Sequence, residues 1–141
     1  MAPSRPAVDP VGVAVRPQCV LVESDLTALR ALESRVSGAG FEVVGLTGSR
    51  LEALLLLDRR PSTVFVVPFD GGDLSGPDFA RRAAELVRAK VRIVFSLARP
   101  DPAVAAAALD AGAHGVVLGD DLLGALAEVA AGRVYVDPRL V

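Results

Sequence analysis

The sequence is poor in the residues that build metal centres, disulfides and aromatic binding surfaces. Aromatic residues make up 4% of the 141 residues, and cysteine, histidine and lysine occur once each, as Cys19, His114 and Lys90. A single cysteine excludes an internal disulfide and a cysteine-rich zinc site, which is typical of a reducing compartment, so we expect a cytoplasmic protein. Because 52% of the residues are hydrophobic and few are aromatic, we expect an aliphatic core.

Excess positive charge and long apolar runs are also absent. The formal net charge is −2, so no bulk positive charge attracts this segment to DNA. No stretch reaches the roughly eighteen apolar residues of a membrane span, and the proline-rich start does not resemble a signal peptide. We therefore expect no membrane contact, and we predict a flexible N-terminal arm over residues 1–17.

Short β-branched runs alternate along the chain with segments of helical periodicity. The runs at 19–23, 41–46, 63–67, 91–97 and 115–118 are predicted strands. Asp25 and Ser49 are typical N-cap residues before two of the helices, and Gly112 is typical of a helix end. Five strands that alternate with five helices predict a flavodoxin-like, doubly wound parallel sheet, with the order 2-1-3-4-5 and helices on both faces.

In a sheet of this order, ligands bind at the carboxyl ends of strands one and three. The residues predicted at this edge are Glu23, Ser24, Asp25, Pro68, Asp70, Asp73, Ser96 and Gly119. Asp70 and Asp73 lie in a glycine-rich stretch and are typical of a turn. The residues at this edge include no nucleophile with a paired base, and the chain has no glycine-rich phosphate-binding motif. We therefore predict that the chain is not an enzyme, and a small α/β nucleotide-binding protein or enzyme is kept as an alternative.

Three stretches resemble a known family. VLVESD at 20–25, AALDAGAHGVVLGDD at 107–121 and AEVAAGRVYVDPRLV at 127–141 are similar to receiver domains of response regulators of the NarL/LuxR type. The resemblance covers residues 18–141. It implies a receiver-like domain at 18–132, and it implies that 133–141 begin a linker to a C-terminal helix-turn-helix domain that lies outside this chain.

The resemblance also implies a chemistry, which is phosphoryl transfer to an aspartate at the end of strand three. Two acidic residues would hold Mg²⁺, a hydroxyl on strand four would contact the phosphoryl group, and a lysine after strand five would pair with it. The matching positions are Glu23 and Ser24 for the acidic pair, Pro68 for the aspartate, Ser96 for the hydroxyl, Gly119 for the lysine and Val116 for an aromatic switch residue. Pro68 is identified as the aspartate position because it lies eight residues before Gly76, which matches a loop-closing glycine.

A proline is not phosphorylated and a glycine supplies no charge, so the sequence is identified as a degenerate receiver. We expect a regulatory domain without a cofactor or a metal, in which Glu23 is only a weak candidate ligand. Control is expected through a homodimer of receiver helices, a protein partner or a small ligand. The alternative is a phosphorylatable receiver that uses Asp70 with Mg²⁺.

Overall fold

A computed structural model of the chain describes residues 16–59, 63–70, 73–86 and 91–141. Within these residues, strands and helices alternate from the start of the described chain. The strands are β1 (Gln18–Val22), β2 (Glu42–Thr47), β3 (Val64–Pro68), β4 (Arg92–Leu97), β5 (Gly115–Leu118) and β6 (Tyr135–Val136). The helices are α1 (Leu26–Gly38), α2 (Arg50–Arg59), α3 (Gly76–Leu86), α4 (Pro102–Asp110) and α5 (Leu122–Ala130).

All strand pairs are parallel, and the order in the sheet is β2-β1-β3-β4-β5-β6. The predicted doubly wound α/β fold and its order 2-1-3-4-5 are confirmed. The chain crosses over in both directions from β1, so the carboxyl ends of β1 and β3 lie at the point where the order reverses. Crevices form at such points because the loops leave in opposite directions.

Both faces of the sheet are covered by helices, as predicted. On one face, the side chains of Phe65, Phe79 and Phe95 are fully buried among α2, α3 and α4. On the other face, Leu21 and Leu126 are buried among residues of α1 and α5. Full burial of a side chain of this size contributes about 1.5–3 kcal/mol. Because helices cover both faces of the sheet, the strands are continuously apolar, and apolar residues do not alternate with polar ones along them.

Local signals in the sequence place the ends of several helices. The side chain of Asp25 accepts hydrogen bonds from two backbone N–H groups in the first turn of α1, at 2.9 and 3.2 Å. Ser49 Oγ accepts one from the Glu52 N–H at 3.2 Å at the start of α2. After α4, Gly112 has a φ of 110°, a value that favours glycine. The predicted roles of these residues at helix ends are confirmed.

The sixth strand lies in residues 133–141, where the family resemblance implies the start of a linker. The N–H groups of Tyr135 and Asp137 donate to the carbonyls of His114 and Val116, both at 2.9 Å. Leu140 is 3% exposed and packs into the core. These backbone bonds and the buried leucine attach this segment to the sheet, which therefore has six strands where five were predicted.

The predicted N-terminal arm, residues 1–17, lies largely outside the described residues, which begin at Arg16. The Arg16 guanidinium donates to the carbonyls of Gly40 and Phe41 at 3.2 and 3.0 Å. The Pro17 carbonyl accepts a bond from the Glu42 N–H at 2.8 Å, which extends the pairing of β1 with β2 by one residue. No helix in the described part of the chain is long and apolar enough to cross a membrane.

Candidate functional site

The candidate site lies where the carboxyl ends of the central strands meet. Pro68 is the last residue of β3, and it pairs in register with Ser96 of β4. Glu23 follows β1 directly, and its N–H donates to the Thr47 carbonyl at 3.0 Å. Gly119 follows β5. Four of the predicted site residues are therefore brought to one edge of the sheet by four different strands.

These four residues line one cavity of about 310 Å³ between the strand ends, α1 and the start of α5. Most of the remaining lining is apolar, and it comes from Val22, Val66, Ala28, Ala31, Leu32 and Leu122. The volume lies at the lower end of the range for small-molecule pockets. Among the described lining residues, the charged ones are Glu23 and Arg35, and the Ser96 hydroxyl adds one neutral polar group.

The two charged residues of the lining are held by backbone atoms. Arg35, in the last turn of α1, donates from Nη2 to the Gly119 carbonyl at 3.2 Å. Glu23 accepts a bond from the Asp25 N–H at 3.1 Å. The carbonyl at the position matched to the receiver lysine is thus bonded to a guanidinium that comes from α1.

Three predicted residues lie away from this cavity. Ser24 is exposed and is not part of the lining. Val116 is a residue of β5 and is fully buried in the core. Asp70 is exposed and does not contribute to the lining, and its carbonyl accepts a bond from Arg50 Nη2 at 2.8 Å. The alternative acceptor therefore lies next to the cavity and outside it.

Arg50 and Asp73 connect the β3–α3 loop to α2. The guanidinium of Arg50 also donates to the Pro68 carbonyl. In the opposite direction, the Asp73 carboxylate accepts bonds from Ser49 Oγ and from the N–H groups of Arg50 and Leu51, at 2.6, 2.9 and 3.2 Å. The bond from Ser49 is the main reason why the pKa of Asp73 is lowered to about 2.

The donor set at this edge does not fit a receiver-type magnesium site. Mg²⁺ is held by hard oxygen ligands, usually including carboxylates. At the matched positions one carboxylate, Glu23, is present, while Ser24 and Pro68 replace the others. Among the described residues, no group of three or more histidine, cysteine, aspartate or glutamate side chains converges on one point.

A second polar network holds the C-terminal segment against the turn that carries Gly119. Asp137 is 1% exposed, and its carboxylate accepts bonds from the Leu118 N–H at 3.0 Å and from the Arg139 side chain at 2.8 and 3.0 Å. Arg139 also donates two bonds to Asp120, at 3.0 and 2.6 Å. The bonds from Arg139 are the main reason why the pKa of Asp137 is lowered to about 2. Tyr135 donates at 2.5 Å to the adjacent carboxylate, Asp121.

Sequence reasoning missed the residues that hold these loops, namely Arg35, Arg50, Asp73 and Arg139. The sequence predicts no role for the three arginines, and it predicts only a turn for Asp73. Each makes its bonds to a segment at least 18 residues away, apart from the bond between Arg139 and Asp137. The only signal available was the pair Asp73 and Ser49, since both residue types favour helix N-termini.

Comparison with known proteins gives matches in structure. No family model matches the sequence, and no curated protein does. A two-component response regulator of the LuxR family from Aurantimonas sp. SI85-9A1 is similar with a TM-score of 0.75 and 23% identity, over 89% of this chain and 93% of that chain. The signal receiver domain of the putative response regulator NarL from Mycobacterium tuberculosis is similar with a TM-score of 0.70 and 24% identity, over 84% and 98%.

RcsB is a third similar protein, in a structure of two RcsB dimers bound to two parallel DNAs. Its TM-score is 0.76 at 18% identity, over 89% of this chain and 66% of that chain. Identities this low establish a shared fold and leave the activity to be argued from the site. The chain has the fold of response-regulator receiver domains.

Proposed function

We propose that this chain is a non-catalytic receiver domain of an atypical two-component transcriptional regulator, controlled in the cytoplasm without aspartyl phosphorylation. The observation that carries the proposal is the position of Pro68. It ends β3 at the crevice, beside Ser96 and across from Gly119, where a receiver needs a carboxylate.

Phosphoryl transfer to a receiver needs a carboxylate nucleophile and positive charge to offset the charge that the phosphoryl group adds. Pro68 offers no nucleophile, and Gly119 offers no ammonium group. Within the described part of the cavity lining, the one carboxylate is that of Glu23, and it lies after β1 rather than at the end of β3. Asp70 lies outside the lining, which disfavours it as a substitute acceptor.

Without a phosphate, the signal must enter through another contact. The largely apolar cavity of about 310 Å³ supports a small ligand as one input. We also propose control by protein contacts, either in a homodimer through receiver helices or with a different protein partner. The RcsB structure contains dimers bound to DNA; for this chain, we assign DNA contact to a C-terminal helix-turn-helix domain outside these residues, because the net charge here is −2.

Incubation with acetyl phosphate and Mg²⁺, followed by intact-mass spectrometry, tests the proposal. We expect no added phosphoryl group under conditions that label a phosphorylatable receiver in the same tube. The matched variant is Asp70→Asn. A phosphoryl adduct on the wild type that disappears in Asp70→Asn would establish the alternative receiver and refute the proposal.

A further inference from the structure

One side chain, Arg50, meets two backbone carbonyls at the carboxyl end of β3. The carboxylates of Glu23, Asp70 and Asp73 all act electrostatically on Arg50. The carbonyls of Pro68 and Asp70 face the same guanidinium. Two backbone carbonyls that face one point favour a positive partner, and in many proteins a divalent cation supplies it.

Arg50 supplies positive charge at this point from inside the fold. The residue is 4% exposed, although it begins α2. Its Nη2 donates to both carbonyls, and its Nε is buried without a hydrogen-bond partner among the described atoms. Burial lowers the pKa of Arg50, and the carboxylate of Asp73, followed by those of Glu23 and Asp70, opposes that effect. An arginine remains charged in such surroundings.

The bonds of Arg50 go to backbone oxygens, and this distinguishes it from a surface ion pair. None of its side-chain hydrogen bonds in the described residues ends on a carboxylate. The Asp73 carboxylate is already bonded to the first turn of α2. The guanidinium therefore contacts the carbonyls at the strand end, as a metal ion would. Its position is fixed by these bonds and by the bonds that the Asp73 carboxylate accepts from the start of α2.

We propose that the guanidinium of Arg50 is a built-in cation that takes the place of a divalent metal at the carboxyl end of β3. It holds the carbonyls of Pro68 and Asp70 in place and offsets part of the negative charge of the carboxylates that act on it. Because it is covalently attached and buried, its charge repels a divalent ion at the same edge. The inference rests on the proposed phosphate-independent function, and it adds the reason why this edge does not need Mg²⁺.

Titration of the full chain with MnCl₂, followed by paramagnetic broadening of ¹⁵N amide signals, tests this role. In the wild type we expect no saturable broadening at Glu23 or Asp70. In Arg50→Met, which keeps the length of the stem without the charge, we expect broadening at these residues and an affinity for Mn²⁺ at least about tenfold higher. Arg50→Lys keeps the charge and should behave as the wild type does.

The matched control is Arg30→Met, because Arg30 is an exposed arginine of α1 that pairs with Glu33 at 3.2 Å, away from the crevice. It should leave Mn²⁺ binding unchanged. If Arg50→Met does not fold, Arg50→Gln, which keeps an N–H donor, replaces it. Saturable Mn²⁺ binding at Glu23 and Asp70 in the wild type would overturn the inference, and so would an uncharged, folded variant with no gain in affinity. That second result would leave phosphate-independent regulation standing, since the acetyl phosphate experiment tests it separately.

Discussion

Replacement of the buried carboxylate Asp137 by asparagine should weaken the fold, and the loss should depend on pH. Asp137 joins β5, through the Leu118 N–H, to the Arg139 side chain that also holds Asp120. Asparagine preserves the shape of the side chain and removes its charge. The amide NH2 group of asparagine is a donor. It would face an N–H group that is also a donor, and the two cannot form a hydrogen bond.

The magnitude follows from the pKa. The pKa of Asp137 falls from 3.8 to about 2 in the fold, and a change of that size corresponds to roughly 2.5 kcal/mol at neutral pH. Because the Arg139 side chain is 47% exposed, solvent screens part of this attraction, so we expect a loss of about 2 kcal/mol. A carboxylate whose pKa is lowered by folding stabilises the protein fully above its unfolded pKa of about 3.8. That contribution is lost as the pH falls through about 2.

Urea unfolding followed by far-UV circular dichroism measures the effect, since the chain contains no tryptophan. At pH 7 the midpoint of Asp137→Asn should fall by about 1 M, for a urea dependence of 1–3 kcal/mol per M. At pH 2.5 the difference in unfolding free energy from the wild type should shrink by at least about 1 kcal/mol. Asp110→Asn, an exposed change in α4, is the control and should stay within about 0.5 kcal/mol.

Two results would refute this reasoning. A difference below about 0.5 kcal/mol at pH 7 would mean that the network contributes little to stability. A large difference that is the same at pH 7 and pH 2.5 would mean that the shape of the side chain matters and its charge does not.

Three further changes test other parts of the structure. Asp73→Ala removes the carboxylate that caps α2 and should cost about 1–2 kcal/mol of unfolding free energy, measured in urea, whereas Asp70→Ala should cost less than about 0.5 kcal/mol. Gly76→Ala places a Cβ 2.6–3.0 Å from ring atoms of Phe69, so differential scanning calorimetry should show a lower Tm, for a loss of about 1–3 kcal/mol. Burial lowers the pKa of His114, whose Nδ1 accepts a bond from a backbone N–H; stability should therefore fall as the pH drops below about 6.5. Urea denaturation of His114→Asn should show no such fall in unfolding free energy between pH 7.5 and 5.5.

The fold could be predicted because its signals are local or periodic. The apolar runs at β1 and β3 are continuous since helices cover both faces of the sheet, and Asp25 caps α1 within its own turn. The sixth strand was not predicted. It has two residues, Tyr135 and Val136, too few to show a period, and a partner on β5 supplies the pairing.

The site was predicted in part. The topology of the sheet determines which strand ends converge, so the residues at those ends could be predicted. Glu23, Pro68, Ser96 and Gly119 meet in one cavity as their positions after successive strands imply. Arg50 was not recognised, since its role depends on a guanidinium that crosses from α2 to carbonyls 18 and 20 residues away. Backbone carbonyls carry no sequence signal, so a residue that bonds to them looks like any solvated arginine.

The central claim is that the crevice receives its signal without a phosphoryl group. Its most direct test is an ¹⁵N–¹H correlation spectrum of the full chain, titrated with beryllofluoride and MgCl₂ and compared with MgCl₂ alone. We predict that beryllofluoride adds no saturable change at Glu23, Ser96 or Gly119. Saturable shifts at these residues that vanish in Asp70→Asn would contradict the account and identify the chain as a phosphorylatable receiver.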